Sequence, residues 1–352
     1  MQKAASGLDI KLGDTASRIA FEHAKNTFST RPDRIGSIGR LPDGAFSNII
    51  HFGDQRIGIA SDGVGTKIEI AERTGIFDTI GYDLVAMVAD DLVTAGFIPT
   101  NLTNVIDVNH IDTAVIDRMM AGLAGACTLA GIAITGGEIA ELGSRVGGYG
   151  DGIHVNWSAT AIGCLPEGRP LLTGEAIRPG DTVIALQSAG LRSNGFSLVR
   201  RIMTTQFGDD WHDQPFDDDQ TWGQVLLTPS RIYTPLLNEL HRAGISIRGI
   251  AHITGGGIRA NFARTLRPTG LGALLDDLFE PLPVMQRLQQ LGHVSDEDAY
   301  TYWNMGNGML LVVSPDDADR CLQTAAALGY PARTAGRIND TGQLLVNTKE
   351  TV

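Results

Sequence analysis

Two periodicities organise the apolar positions of this chain. Between 112 and 130, DTAVIDRMMAGLAGACTLA sets Ile116, Met119, Met120, Leu123, Cys127 and Ala130 at helical spacing, with Asp112 as N-cap and Gly131 as the stop. A second helix is expected over 83–95, where Asp90 and Asp91 are adjacent. Neighbouring helical residues point about 100° apart, so at most one of the two carboxylates can face a given pocket. Short apolar runs read as strands: Ile132 to Thr135, TVIALQSAG from 182 to 190, GMLLVV from 308, and ARTAGRI from 332. Between the last two, SPDDADRCLQTAAALG reads as a helix with Ser314 as cap and Pro315 at its first position. GIHVNWSATAIG, 152–163, alternates apolar and polar residues and needs cover if it lies at a sheet edge.

Glycine falls at the junctions between these segments. The 43 glycines among 352 residues gather at strand ends and helix starts, as they do in α/β proteins that bind phosphates. PLLTGEAIRPGD, 170–181, is polar, carries proline and glycine, and separates two α/β halves, predicting domains over 1–169 and 170–352. With 43% apolar and 19% charged residues the chain can bury two cores. Its formal net charge of -12, with no basic run, disfavours nucleic acid as a partner. No window reaches the length of a membrane span, and no apolar stretch follows the N-terminal lysines, so a cytoplasmic protein is expected. Cys127, Cys164 and Cys321 are far apart and are expected to be buried thiols in a reducing compartment.

The richest chemistry lies in IASDGVGTKIEI, 59–70. A strand ends at Asp62; Gly63 and Gly65 let a ligand approach the backbone, Thr66 adds a hydroxyl and Lys67 an ammonium suited to phosphate. It is not a Walker A loop, which needs Lys directly after the second glycine. Singly, Asp62 could be a turn residue and Lys67 a solvated one. Two further strand–glycine–helix junctions follow: LRSNG before FSLVRRIM, with Ser193 or Asn194 placed to cap the helix and Gly195 at the bend, and AHITGGGIRANFARTL, with Thr254, Gly255, Gly256 and Gly257. A third candidate is GGEIAE, where Glu138 could contact substrate or merely compensate a helix dipole.

These strings carry a resemblance. SDGVGTK (61–67), DLVAM (83–87), the D-L-x-x-x-G-x-x-P element from Asp91 to Pro99, GGEIAE (136–141), SNGFSLVR (193–200), LTPSRIY (227–233), AHITGGG (251–257) and WNMGNGM (303–309) occur in the order seen in the phosphoribosylformylglycinamidine cyclo-ligase, or aminoimidazole ribonucleotide synthetase, family. The resemblance implies a two-domain α/β fold with an N-terminal sheet domain that forms a homodimer and a C-terminal α/β domain. It also implies ATP, Mg²⁺ and a small phosphorylated substrate. In that family ATP turns an amide oxygen into a phosphate leaving group, and a neighbouring nitrogen closes the imidazole ring. By the match, Asp62 and Asp91 take the metal, the 62–67 loop takes ATP, and Asp91, Arg192 and Asn194 are catalytic. Glu138, Ser193, Gly195 and Thr254 to Gly257 are expected on the substrate.

The chain also departs from the family pattern. Arg192 stands where His is usual, Asp90 where Asn is usual, and Thr301 where Arg is expected, while the segment NTFSTRPDRIGSIGRLPDGAF (26–46) replaces a lysine pair and a glycine-rich loop. A divergent paralogue acting on another small molecule therefore stands beside the cyclo-ligase reading, as does a non-catalytic ligand-binding relative. A selenophosphate synthetase should carry a reactive Cys near its N-terminus, whereas the first here is Cys127; a hydrogenase maturation dehydratase should end in Cys, whereas this chain ends Glu350, Thr351, Val352. A thiamine monophosphate-type kinase is not expected to match LTPSRIY and AHITGGG so closely.

Overall fold

The computed structural model of the chain describes residues 10–39 and 47–346. The end of the substituted loop (40–46) and the terminal Glu350, Thr351 and Val352 lie outside the described residues.

The first sheet contains β1 (Ser37–Ile38), β2 (Asn48–Phe52), β3 (Gln55–Gly63), β4 (Ile98–Val108), β5 (Ala133–Glu141) and β6 (Val155–Cys164), in the order β1-β2-β3-β6-β4-β5. All neighbours are antiparallel except β4 and β5, which are joined by the Thr113–Ala130 helix, the crossover a parallel pair requires. That helix is capped as its sequence predicts: Asp112 accepts from the Ala114 and Val115 amides, and Gly131 ends it in the left-handed conformation. It packs on the Ile80–Thr94 helix at close range. A Cβ on Gly81 would lie 2.3 Å from the Leu123 nitrogen, and one on Gly122 would lie 2.1 Å from the Asp78 carbonyl oxygen.

The condition set for GIHVNWSATAIG is not met, because β6 pairs with β3 on one side and β4 on the other and so is no edge. One expectation about this sheet needs correction. The glycines of GGEIAE do not end a strand, because β5 runs through them to Glu141, and Glu138 is a strand residue rather than part of a helix's first turn. Cys127 and Cys321 are buried thiols, but Cys164, at the end of β6, is exposed.

The second sheet contains β7 (Thr182–Gln187), β8 (Ile247–His252), β9 (Gly272–Leu275), β10 (Asn307–Val313), β11 (Ala332–Asn339) and β12 (Leu344–Val346), ordered β12-β9-β11-β7-β10-β8. Every residue of β10 is buried, because helices cover both faces. Leu310 and Val312 join Val183 and Ala185 against the Gly257–Leu266 helix, while Met309, Leu311 and Val313 join Ile184 and Leu186 against the Thr234–Arg242 helix. The two sheets fall on either side of residues 165–181. Their cores are not separate, however: Phe196, Met203, Trp222, Met285 and Trp303 from the second half pack into the core of the first. The seam between the halves is where the glycine junctions meet.

Candidate active site

Asp62 is the penultimate residue of β3, and its Oδ1 accepts the Gly63 amide at 2.7 Å. Gly65, with φ +65°, turns the chain into a short 3₁₀ helix, Gly65–Lys67, that leaves Gly65 and Thr66 exposed. Burial pushes the Asp62 carboxyl up to about 6, against the Gly63 amide, and the charge of Asp91 raises it further. Asp91, in the last turn of the Ile80–Thr94 helix, is pushed up to about 8 by burial, partly opposed by Arg192 and Arg264. Two desolvated carboxyls, one of them raised further by the charge of the other, suit a cation. Among the described residues no group of three or more His, Cys, Asp or Glu forms a metal cage. Mg²⁺ characteristically takes only one or two carboxylates and fills its remaining positions with water and phosphate oxygens, so Asp62 and Asp91 fit it.

Lys67 does not occupy the role read from the sequence. Its side chain is fully buried, with Nζ 2.8 Å from Asp83 and 2.8 Å from the Thr228 carbonyl oxygen, and it lies over the Phe196 ring. Burial pushes the ammonium down and the Asp83 carboxyl up; their mutual attraction, with the amide and hydroxyl of Ser230 donating to Asp83, favours the charged pair. The ammonium is thus committed to holding the loop on the LTPSRIY segment rather than presented to a phosphate.

Arg192 is likewise inside. It adopts φ +63° and is fully buried, so its guanidinium is not presented to a substrate as the catalytic role implied by the family match would require. Nη1 donates to the Arg231 carbonyl at 3.0 Å; Nη2 lies 3.2 Å from Asp90 and 2.5 Å from Nε2 of His252. A guanidinium only donates, so Nε2 of His252 accepts, and Nδ1 carries the proton that it donates to Asp91 at 2.7 Å. Burial, reinforced by Arg192, pushes the imidazole down to about 3, so the ring is neutral. Asp90, turned about 100° from Asp91 around the helix, takes the Tyr233 amide and the Thr234 amide and hydroxyl on one oxygen.

The glycine turns of the second half close on the first loop. A Cβ on Gly65 would lie 3.8 Å from the Ser193 carbonyl oxygen, and one on Gly255 would lie 3.5 Å from Oδ1 of Asn194. Neither Ser193 nor Asn194 caps the Phe196–Phe207 helix; Gly195, with φ +78°, stands at its N-cap and no side chain bonds there. The hydroxyl of Ser193 and the amide nitrogen of Asn194 are instead buried without a hydrogen-bond partner. Beside them Thr254 to Gly257 bend into the Gly257–Leu266 helix, with Gly256 at φ +93°.

Asp62, Asp91, Gly63 to Thr66, Ser193 to Gly195 and Thr254 to Gly257 therefore border one seam. Glu138 does not join them. Register places it opposite Val105, on the face shared with Ser158, whereas Asp62 lies in the row of Ala159 and Asn104 on the other face. His252 and Asp83 were not singled out from the sequence. A histidine closing an apolar strand just before a triple glycine was the signal available for the first.

Comparison with known proteins agrees with this layout. Residues 44–165 match "AIR synthase related protein, N-terminal domain" and residues 178–347 match "AIR synthase related protein, C-terminal domain". Phosphoribosylformylglycinamidine cyclo-ligase of Sorangium cellulosum is 36% identical over 96% of this chain and 95% of its own, and that of Pyrococcus furiosus is 35% identical over 91% and 90%. Among solved structures, the HypE–HypF complex superposes with TM-score 0.61 at 20% identity, covering 86% of this chain and 90% of that one. AaThiL complexed with AMPPCP and TMP gives 0.60 at 13%, covering 87% and 88%. The structural likenesses establish the fold, and the sequence matches over nearly the whole length establish that the chain belongs to the AIR synthase family, with phosphoribosylformylglycinamidine cyclo-ligases as its relatives.

Proposed function

We infer that the protein is an ATP-dependent cyclo-ligase that closes the imidazole ring of formylglycinamidine ribonucleotide in purine synthesis. The observation that carries this is the seam itself, where two desolvated carboxyls, Asp62 and Asp91, border glycine turns bearing the unpartnered Ser193 and Asn194 groups. Asp62 and Asp91 would hold Mg²⁺, which when bound supplies charge neutralisation for the triphosphate. The exposed backbone of Gly63, Gly65 and Thr66 would lie along the phosphates. Ser193, Asn194 and the Thr254 to Gly256 turn would hold the ribonucleotide and its reacting amide, whereas Gly257, buried against the Tyr300 carbonyl, serves packing rather than the substrate role read from the sequence. An amide oxygen leaves poorly; conversion to a phosphate leaving group, followed by attack of a nitrogen already in the same molecule, replaces one hard step with two easier ones. The three free thiols fit a reducing compartment such as the cytoplasm.

A homodimer through the first sheet is part of this reading. Its support is the outward face of that sheet, where Val105 and Ile162 are 42% and 38% exposed. Purified protein incubated with ATP, Mg²⁺ and formylglycinamidine ribonucleotide should yield ADP and the aminoimidazole in equal amounts. ADP alone would point to another acceptor, and neither product, with nucleotide bound, to a ligand-binding relative.

A further inference from the structure

Four ionisable side chains from three separate segments form one continuous chain of hydrogen bonds beneath the seam: Asp90 to Arg192 at 3.2 Å, Arg192 to His252 at 2.5 Å, and His252 to Asp91 at 2.7 Å. Only the last of these borders the seam, for the side chains of Asp90, Arg192 and His252 are 0%, 1% and 0% exposed and that of Asp91 is 15%. Asp90 is itself fixed by the Tyr233 and Thr234 donors. The direction of donation is set at one end. A guanidinium has no acceptor, so its contact forces the Nδ1–H form of His252, and that form can only donate toward Asp91.

We propose that Arg192 is a positioning residue for the carboxylate of Asp91, acting through the tautomer of His252, and that Asp90 is its fixed counter-charge. Arg192 does not touch substrate. The carboxylate oxygen that His252 engages is held in place, and the other oxygen of Asp91 would be the one left to hold a nucleotide-bound cation. Loss of a group that orients a ligating side chain in this way typically costs about 10- to 100-fold in metal affinity or activity. The proposal rests on the reading of Asp91 as a cation-side carboxylate.

Two neutral double variants separate the relay from the charge pair. In Asp90→Asn/Arg192→Gln, the glutamine amide can still donate to His252 while its oxygen accepts from the new asparagine; in Asp90→Asn/Arg192→Met, nothing donates from position 192. Both remove the same buried charges. ¹⁵N–¹H correlation spectra of histidine-labelled protein, assigned with His252→Asn, should show the Nδ1–H form in the native chain and in the Gln variant, and a shift toward the other tautomer in the Met variant. Affinity for a Mg²⁺-loaded non-hydrolysable ATP analogue, by calorimetry, should fall roughly tenfold or more in the Met variant and recover in the Gln variant. KM for the amidine ribonucleotide should stay unchanged in both. An Nε2–H ring in the native chain, the same spectrum in both variants, or a rise in the ribonucleotide KM without loss of nucleotide affinity would each overturn the proposal. Absence of aminoimidazole from the native enzyme would instead refute the ring-closing reading, leaving the spectra and the nucleotide affinity to decide the relay.

Discussion

At the scale of single residues, charge and burial divide the first glycine loop into two jobs. Lys67 and Asp83 are a fully buried pair, so Lys67→Met should leave Asp83 uncompensated and destabilise the fold by about 3–5 kcal/mol in urea denaturation. Lys67→Met/Asp83→Asn should recover much of that loss, since the asparagine oxygen can still accept from Ser230. Asp62 behaves in the opposite way. Asp62→Asn should lower kcat/KM by roughly a hundredfold or more, at least the size seen when a mere outer-shell partner of a metal ligand is lost, without loss of stability. The pH dependence follows in sign. The folded carboxyl titrates at about 6 against an ordinary 3.8, so the native state holds the proton more tightly. Its contribution is fully present below about pH 4 and is lost as pH rises through about 6. In ligand-free protein the stability of the native chain relative to Asp62→Asn should therefore decline between about pH 4 and pH 7. A flat difference, followed by thermal melts across that range, would mean that Asp62 is not desolvated.

At the scale of elements, the glycines that look alike in sequence do different work. A Cβ at Gly257 would lie 1.8 Å from the Tyr300 carbonyl oxygen, in a residue with φ +64°, so Gly257→Ala should cost roughly 1–3 kcal/mol or more of stability. At Gly255 the added atom would meet only Oδ1 of Asn194, at an ordinary 3.5 Å. Gly255→Ala should melt close to the native protein while raising KM for the ribonucleotide; equal melting losses at both positions would remove Gly255 from the ligand side. These differences also mark what the sequence could disclose. The β7 and β10 strands were readable because they are unbroken apolar runs, and the Thr113–Ala130 helix because its cap and stop are local. The position of β6 was not, since alternation reports which face of a strand is covered and says nothing of its neighbours. Glu138 was misplaced for a related reason. Glycines at 136 and 137 read as a strand end, yet β5, which among the described residues pairs only with β4, carries them as ordinary strand residues.

At the scale of the whole molecule, the site is assembled from parts distant in sequence. Asp91 and His252 are 161 residues apart, and Arg192 and Asp90 are 102 apart. Sequence patterns identified the strings, but burial decides which side chains in them face a ligand, and burial is a property of the packed seam. The same reasoning applies to the outer face of the first sheet. Polar Ser61 and Thr160, hydrogen-bonded to each other at 2.7 Å, lie beside apolar Ile162 and Val105, a mixture that can rest in water or against a second copy. If a second copy covers it, the two apolar side chains should lie near the centre of the contact. Charges buried there without partners would be costly, whereas the same charges on a solvated sheet face would change little. Val105→Lys/Ile162→Lys should therefore convert the native protein from dimer to monomer in sedimentation at micromolar concentration while keeping its far-ultraviolet circular dichroism. A native monomer, or a variant that sediments as the native dimer does, would place any association of this chain on another surface.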